Sequence, residues 1–192
     1  MTRIVAGLAG GRRLDVPPGG GTRPTSDRVR EALFSAIEAA VDLDGARVLD
    51  LYAGSGALGL EALSRGAATA TFVESNARAV TVLRRNVSAL GFDMLGSDAE
   101  VITGKVETVL GRPAETSYDL VLADPPYAVA DDALAAVLTL LSRNGWTVDG
   151  TLVVVERDRR SGAPEWPVPL RPSRTRRYGD TELHWAEHLT EE

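Results

Sequence analysis

From residue 47 onward, strand-like and helix-like segments alternate, and this alternation constrains the fold more than any other feature of the chain. Strands are predicted over residues 48–51, 70–74, 100–103, 118–123 and 151–156, with further pieces near 175–178 and 182–186. Helices are predicted over residues 57–65 and 131–141, and through Val80, Leu83, Val87 and Leu90. Strands alternating with helices build a doubly wound sheet. The sequence therefore predicts an α/β fold with a Rossmann-like sheet of seven, mostly parallel strands.

A glycine-rich turn follows the first of these strands. Residues 50–59 read Asp-Leu-Tyr-Ala-Gly-Ser-Gly-Ala-Leu-Gly. Gly54 and Gly56 permit a tight turn and the close approach of a ligand, and Gly59 allows the helix to pack on the strand. Glu74 ends the second strand, where its carboxylate can accept hydrogen bonds from ribose hydroxyls. Together these features predict a site for a nucleoside cofactor.

Asp50 bears on which cofactor this is. NAD places a pyrophosphate at the N-terminus of the helix. S-adenosylmethionine has no phosphate, and its adenosine can use the same turn and the same ribose acid. Asp50 stands just before the loop and would face the methionine ammonium group across the glycines. An anionic side chain there favours S-adenosylmethionine, although the residues alone leave NAD open.

A second motif, Asp124-Pro125-Pro126-Tyr127, directly follows the strand at 118–123. Two prolines fix φ and remove two backbone donors, so the corner is stiff. The Asp124 carboxylate and the Pro125 carbonyl can each accept one N–H of an exocyclic purine amine. This holds the nitrogen and frees its lone pair for attack on a sulfonium methyl group. Tyr127 can stack on the base, which has to be unpaired or flipped out of a duplex.

Two other chemistries match isolated features of the chain. The order Ser55, Asp124, His184 is that of α/β-hydrolases, but alanines stand at 53 and 57, where a nucleophile elbow has glycines. His184 and His188 are four residues apart, yet no third metal ligand is near them. The chain has no cysteine, which excludes disulfides, thiolate zinc sites and a cysteine nucleophile. No metal site is predicted.

The charged residues are concentrated unevenly. A net charge of −6 argues against a polyanionic partner if it is taken alone. However, residues 1–30 hold six arginines and two acids, and residues 156–178 hold seven arginines and three acids. Each end thus carries +4, and the remainder must carry −14. Arginine suits bidentate contacts with phosphate, so both ends are candidate surfaces for RNA, and solvated surface is the alternative.

The N-terminal residues are predicted to form an extension. Strand-like runs at 3–8 and 11–16 indicate a β-hairpin, and the Pro-Pro-Gly-Gly-Gly at 17–21 indicates a loop. Thr25 or Ser26 then caps a helix that runs to about residue 40.

The expected organisation is therefore a hairpin and loop extension at 1–24 and one domain at 25–192. No apolar run approaches the roughly 18 residues that a membrane span needs, and the start of the chain lacks the apolar region of a signal peptide. A cytoplasmic protein without membrane association is expected.

The chain resembles the RsmD family, class I S-adenosylmethionine-dependent methyltransferases that modify N2 of a guanine in 16S ribosomal RNA. The matching stretches span most of the chain, at residues 3–7, 11–14, 23–34, 50–67, 72–74, 124–127 and 176–183. The Asp-Pro-Pro-Tyr motif is shared with adenine-N6 enzymes, so the hairpin and the Arg-Pro-Thr helix at 23–34 are the more specific part.

The resemblance implies a role for each set of site residues. The amine site is expected at Asp124, Pro125 and Tyr127. The cofactor contacts are expected at Asp50, Ala53, Gly54, Ser55, Gly56, Glu74 and Val106. The RNA contacts are expected at Arg3, Arg12, Arg13 and Arg23. The implied partner is 16S rRNA within a 30S subunit or an assembly intermediate, bound by a monomer.

One residue departs from the family pattern. Such enzymes often carry an acid or amide after the third strand, where it accepts from the adenine amino group, and Lys105 stands there instead. Lysine has no acceptor, so adenine recognition is expected to use backbone atoms near Val106. Two alternatives stay open: an adenine-N6 or other RNA or DNA amino-methyltransferase, and a non-catalytic RNA-binding assembly factor.

Overall fold

The computed structural model describes residues 2–18 and 26–190. Two short strands form an N-terminal hairpin, β1 (Thr2–Arg3) and β2 (Arg13–Leu14). The main sheet contains β3 (Arg47–Leu51), β4 (Thr69–Glu74), β5 (Asp98–Thr103), β6 (Tyr118–Ala123), β7 (Thr147–Asp158), β8 (Leu170–Tyr178) and β9 (Thr181–His188). The α-helices are α1 (Asp27–Glu38), α2 (Ala57–Ser64), α3 (Ala77–Leu90), α4 (Val106–Leu110) and α5 (Asp131–Arg143). Short 3-10 helices lie at Phe92–Leu95 and Arg159–Ser161.

The main sheet has seven strands in the order β5-β4-β3-β6-β7-β9-β8. Strands β3 to β7 run parallel, while β9 is antiparallel to both β7 and β8. The chain progresses outward from β3 to β5 and then returns to place β6 on the other side of β3, which creates a topological switch point. The predicted doubly wound α/β fold is confirmed, and ligands bind such sheets at this point, beyond the carboxyl ends of the strands.

Apolar side chains cover both faces of the sheet. On β6, Leu120 and Leu122 belong to one buried cluster, while Val121 and Ala123 belong to the other. Helices α1, α2 and α3 pack on the first face, and α4 and α5 pack on the second. Strands buried on both faces read as continuous apolar runs, which is why β3 and β6 were recognisable in the sequence.

The ends of two helices show how backbone groups are satisfied there, and one of them uses a predicted cap, Ser26. The Ser26 hydroxyl accepts from the Val29 N–H at 3.3 Å at the start of α1, whereas Thr25 lies outside the described residues. Asn76 caps α3, and Gly91 ends it with a φ of 63°. Side-chain acceptors at the first position and glycine after the last satisfy backbone groups that a helix end leaves open.

Several elements differ from the sequence prediction; β8, for example, begins at Leu170 instead of near residue 175. Strand β7 begins at Thr147 instead of residue 151. Its added residues before Thr151 are mostly exposed, and Thr147 pairs with Tyr118 beyond a register shift. Helix α4 has five residues, too few to show a helical period, and it was not predicted.

The N-terminal hairpin is shorter than predicted but is packed firmly on the domain. Glu61 of α2 is fully buried, and its carboxylate accepts the Val5 N–H at 2.7 Å and the Ala6 N–H at 3.0 Å. Ser64 of α2 accepts from Ala9 N–H at 2.9 Å. The hairpin shares the hydrophobic core of the domain. The separation of residues 1–24 from the domain at 25–192 therefore stays a prediction, based on the expected contact of residues 1–24 with RNA.

None of the helices in the described part of the chain has the length and apolarity needed to cross a membrane.

Candidate active site

A cleft of about 1000 Å³ opens at the carboxyl ends of β3, β4 and β6, at the switch point of the sheet. It brings together most of the predicted site residues, namely Asp50, Ala53, Gly54, Ser55, Glu74, Val106 and Asp124. The base of the hairpin and the first turn of α1 contribute Thr2, Val16 and Arg30 to the same cleft. The two sequence motifs therefore form one site.

The glycine turn is shaped by two close packing contacts. Gly56 has a φ of 83°, and a Cβ there would lie 2.2 Å from a Leu83 methyl carbon. A Cβ on Gly59 would lie 2.4 Å from the Phe72 ring, so the predicted reason for a glycine at this position is confirmed. Gly54 has a φ of 57° and lines the cleft, and a Cβ there would meet no described atom within 4 Å. The turn thus leaves space for a ligand at its backbone.

Asp50 is buried at the end of β3, with 1% of its surface exposed. Its Oδ2 accepts the Gly59 N–H at 2.9 Å, which ties the strand to the first turn of α2. Burial raises the pKa of Asp50 to about 8; the Gly59 hydrogen bond lowers it, and the charge of Glu74 raises it further. A carboxyl group held in this way gains from a cation that enters the cleft, because the cation compensates for the lost hydration.

Glu74 holds the turn from the neighbouring strand. Its Oε2 accepts the Gly54 N–H at 2.8 Å, and its Oε1 accepts the Asn76 N–H at 2.7 Å. Each carboxylate oxygen keeps a lone pair for a further donor, as a ribose hydroxyl requires. The sequence prediction did not include this structural role of Glu74 in ordering the glycine turn.

Tyr52, next to Asp50 in the motif, has the unusual backbone φ of 57°. Its ring packs against the second core cluster and lines the cleft beside Glu107. Burial, and then the charge of Glu107, raise the pKa of Tyr52 to about 12, so the phenol stays protonated. Non-glycine residues with positive φ are held there by their surroundings and cluster at functional sites.

The Asp124 corner follows β6, the strand next to β3. The Asp124 N–H donates to the Leu51 carbonyl at 3.4 Å, which places the corner directly beside the glycine turn. Among the described residues, no group donates a hydrogen bond to the Asp124 carboxylate. Burial raises the pKa of Asp124 well above its ordinary value, and the charges of Glu156 and Asp50 raise it further. Tyr127 is 71% exposed and, unlike Asp124 and Pro126, does not line the cleft.

The first turn of α4 also lines the cleft. Val106 is buried and lines the cleft, and Lys105 precedes it as the helix N-cap without a side-chain capping bond. Lys105 is exposed and lines the cleft, and its ammonium group can only donate. The cleft therefore has no side-chain acceptor for an adenine amino group at this position.

The arginines predicted to contact RNA are partly engaged within the protein. Arg3 forms an ion pair with Asp27 at 2.9 Å. Arg12 donates to the carbonyls of Ala89 and Leu90 at the end of α3. Arg13 is exposed on β2, and Arg23 lies outside the described residues.

Arg30 is a cleft residue that the sequence analysis missed. It is 1% exposed, and its guanidinium donates to the Arg3 carbonyl and to Asp27, which joins the hairpin to α1. Its position on the buried stripe of α1, beside Phe34 and Leu33, was the only signal in the sequence, and that stripe is ordinarily apolar.

The two rival chemistries find no support in the geometry. His184 lies on β9, two strands away from β6, and its ring contacts Thr175 of β8 and Glu182 of β9. The His188 ring bonds to Thr147 at 2.8 Å. In residues 2–18 and 26–190, no three acidic or histidine side chains are grouped as a metal site would need.

Solved structures of other proteins share this architecture. The yhhF protein of Escherichia coli is 34% identical, with a TM-score of 0.84 over 99% of each chain. Magnesium protoporphyrin IX methyltransferase from Synechocystis, solved with bound SAM, has a TM-score of 0.64 at 13% identity over 88% of this chain and 86% of that one. The fold is therefore that of the class I methyltransferases.

Sequence comparison identifies the family. The family model described as "Conserved hypothetical protein 95" matches residues 2–187. "Ribosomal RNA small subunit methyltransferase D" of Escherichia coli K12 is 41% identical over 86% of this chain and 79% of that protein. The protein of the same name from Haemophilus influenzae is 37% identical over 82% of this chain and 79% of that protein. The chain belongs to this family of methyltransferases, the RsmD family.

Proposed function

We propose that this protein transfers a methyl group from S-adenosylmethionine to the exocyclic N2 of a guanine in 16S rRNA of the small ribosomal subunit. The observation that carries the proposal is the pair of open acceptors at the Asp124 corner, beside a cleft with the geometry of a nucleoside site. The name of the relatives supplies the substrate class, since they are small-subunit rRNA methyltransferases.

The residues of the cleft fit S-adenosylmethionine. Asp50 offers a buried carboxyl group to the methionine ammonium group, Glu74 offers lone pairs to the ribose, and the open space at Gly54 admits the ligand to the backbone. Adenine would rest against Val106 at the start of α4. When bound, this cofactor supplies an electrophilic methyl group on a cationic sulfur.

Asp124 and Pro125 then act on the amine. A purine amine is a weak nucleophile because its lone pair is delocalised into the ring. Two N–H···O hydrogen bonds, to the Asp124 carboxylate and the Pro125 carbonyl, orient the nitrogen lone pair toward the methyl group. The new N–C bond forms as the C–S bond breaks, and the nitrogen loses a proton. The Asp124 carboxylate, which accepts an N–H of this nitrogen, is placed to take up that proton.

The substrate base reaches this corner unpaired. Tyr127 is exposed and stacks on the base, while Arg3, Arg12, Arg13 and Arg23 supply the predicted contacts of the hairpin region with RNA. The protein acts in the cytoplasm as a monomer on a 30S subunit or an assembly intermediate.

The test is methylation of small-subunit particles from cells that lack the corresponding methyltransferase. Particles are incubated with the protein and isotopically labelled S-adenosylmethionine, and the 16S nucleosides are analysed by mass spectrometry. The proposal predicts labelled N2-methylguanosine at a single position. Label in N6-methyladenosine would favour the adenine-N6 alternative, and particles left unlabelled would favour a non-catalytic assembly factor.

A further inference from the structure

The C-terminal strands carry arginines to the same edge of the sheet as Asp124. Val155 of β7 pairs with Ala123, the residue before Asp124. Strand β7 continues to Asp158, which pairs with Thr181 of β9, and Tyr178 of β8 lies level with them. At about 3.3 Å per residue, these strand ends extend roughly 10 Å beyond the level of Ala123. They therefore lie on the β7 side of the Asp124 corner, at the same edge of the sheet.

The arginines on these strand ends fall into two groups. Arg157 is buried and pairs with Asp131 at 2.7 Å, and Arg177 pairs with Glu182 at 2.7 Å. Three further arginines are exposed and form no ion pair or side-chain hydrogen bond within residues 2–18 and 26–190, and we name them the basic tip: Arg159, Arg160 and Arg176.

Two carboxylates stand next to the basic tip. One oxygen of Asp158 is occupied, because it accepts the Arg160 N–H at 2.8 Å. Asp180 is exposed at the β8–β9 turn, and its carbonyl accepts the Arg159 N–H at 2.8 Å. These backbone contacts fix Arg159 and Arg160, and the side chains of all three arginines are exposed without an ion pair to the described residues.

The N-terminal end of equal formal charge is arranged differently. Arg3 is paired with Asp27, Arg12 is bonded to the end of α3, and Arg30 is buried. Among the described residues, this leaves two exposed arginines without an ion pair or side-chain hydrogen bond, Arg13 and Arg28, against three at the basic tip. Of the two arginine-rich ends, the C-terminal one therefore presents the larger number of unengaged guanidinium groups in the described chain, and it does so at the edge where the base must enter.

We propose that the basic tip binds phosphate groups of the rRNA strand on either side of the target nucleotide, opposite the hairpin. This inference rests on the proposed function. A base that is rotated into the Asp124 corner leaves the phosphates of its neighbours at the rim of the cleft. A guanidinium group matches a phosphate with two parallel hydrogen bonds, and no protein contact has to be broken first.

The test compares two triple variants that remove the same charge. The tip variant is R159Q/R160Q/R176Q, and the matched control is R85Q/R112Q/R143Q, whose arginines are exposed away from the cleft mouth. Affinity for a 16S rRNA fragment is measured from 50 to 300 mM salt. Each lost phosphate contact lowers the slope of log K against log salt by about 0.7–0.9. For the tip variant, the magnitude of this slope is expected to fall by roughly 2, and the affinity for the fragment at low salt by about 10–100-fold.

Further readouts separate this inference from the proposed function. Cofactor affinity and melting temperature should be the same in both variants, because the guanidinium groups of the tip have no partner to lose. If the wild type methylates 16S rRNA and the tip variant matches the control in affinity and slope, the inference is overturned and the proposed function stands. If the wild type neither binds nor methylates the RNA, both are overturned.

Discussion

The two halves of the cleft are built in opposite ways. On the cofactor side, the acidic groups are already tied to the backbone, Asp50 to the Gly59 N–H and Glu74 to the N–H groups of Gly54 and Asn76. On the substrate side, the Asp124 carboxylate accepts no hydrogen bond from the described residues, and Tyr127 is largely exposed. The cofactor half is preorganised by the protein alone. The substrate half presents a carboxylate that no described protein group satisfies, which leaves it open to a donor on the substrate.

The largest expected effect comes from Asp124→Ala, which removes an open acceptor and leaves the preorganised half intact. Methyl transfer should fall by about 10²–10⁴-fold, the range for groups that orient or deprotonate a nucleophile. The affinity for S-adenosylmethionine, measured by calorimetry, should stay close to that of the wild type. Asp132→Ala, an exposed neighbour on α5, is the control and should keep its activity. If Asp124→Ala lost cofactor affinity as strongly as methyl transfer, Asp124 would belong to the cofactor half as well as to the substrate half.

Asp50→Asn tests the cofactor half in turn. A hydrogen bond to a charged group contributes about 1.5–3 kcal/mol, so its loss should weaken cofactor binding roughly 10–100-fold. Asp44→Asn, at an exposed position before β3, removes a charge outside the cleft and should bind normally. Calorimetric titration of both variants provides the comparison. If Asp50→Asn binds the cofactor with wild-type affinity, Asp50 does not contact the methionine ammonium group.

The same carboxyl group predicts a pH dependence of cofactor binding. Its pKa is about 8 in the free protein, so most Asp50 side chains are protonated at pH 6. The cationic ligand favours the ionised form and lowers this pKa, so binding below pH 8 releases a proton. Affinity should therefore rise with pH between 6 and 8, by up to about tenfold per pH unit. Asp50→Asn should flatten this profile, and a profile unchanged by the substitution would refute the assignment.

Tyr127→Ala should affect the substrate half alone. Stacking on one base contributes about 1–3 kcal/mol, so the KM for RNA should rise roughly tenfold while cofactor affinity is retained. Tyr127→Phe keeps the ring and is the matched control. The stacking role fails if both variants behave alike.

The smallest effect concerns stability. Asp50 has a pKa of about 8 in the folded protein and 3.8 in the unfolded chain, so the fold favours its neutral form. Its contribution to stability is greatest below pH 3.8 and is lost as the pH rises toward 8. At pH 8, Asp50→Asn should therefore unfold at a higher temperature, by about 2–4 °C for each kcal/mol gained. Thermal melts at pH 5 and pH 8 check this, since the difference should shrink at pH 5.

The sequence was sufficient for those parts of the site that depend on local patterns. The glycine turn, Glu74 and the Asp124 corner each directly follow a strand, and parallel strands bring their carboxyl ends to one edge. The roles of Glu61, Arg12 and Arg30 could not be predicted, because each depends on contacts with segments 27 or more residues away. Helix α4 was missed because one helical turn produces no periodic signal.

The most direct test of the central claim is the nucleoside content of 16S rRNA in Escherichia coli that lacks its own relative and produces this protein or its Asp124→Ala variant. The account predicts N2-methylguanosine at one position with the wild-type protein and its absence with the variant at equal protein level. The same methylguanosine with both proteins would contradict the role of Asp124, and a methyl group on another atom would contradict the proposed substrate.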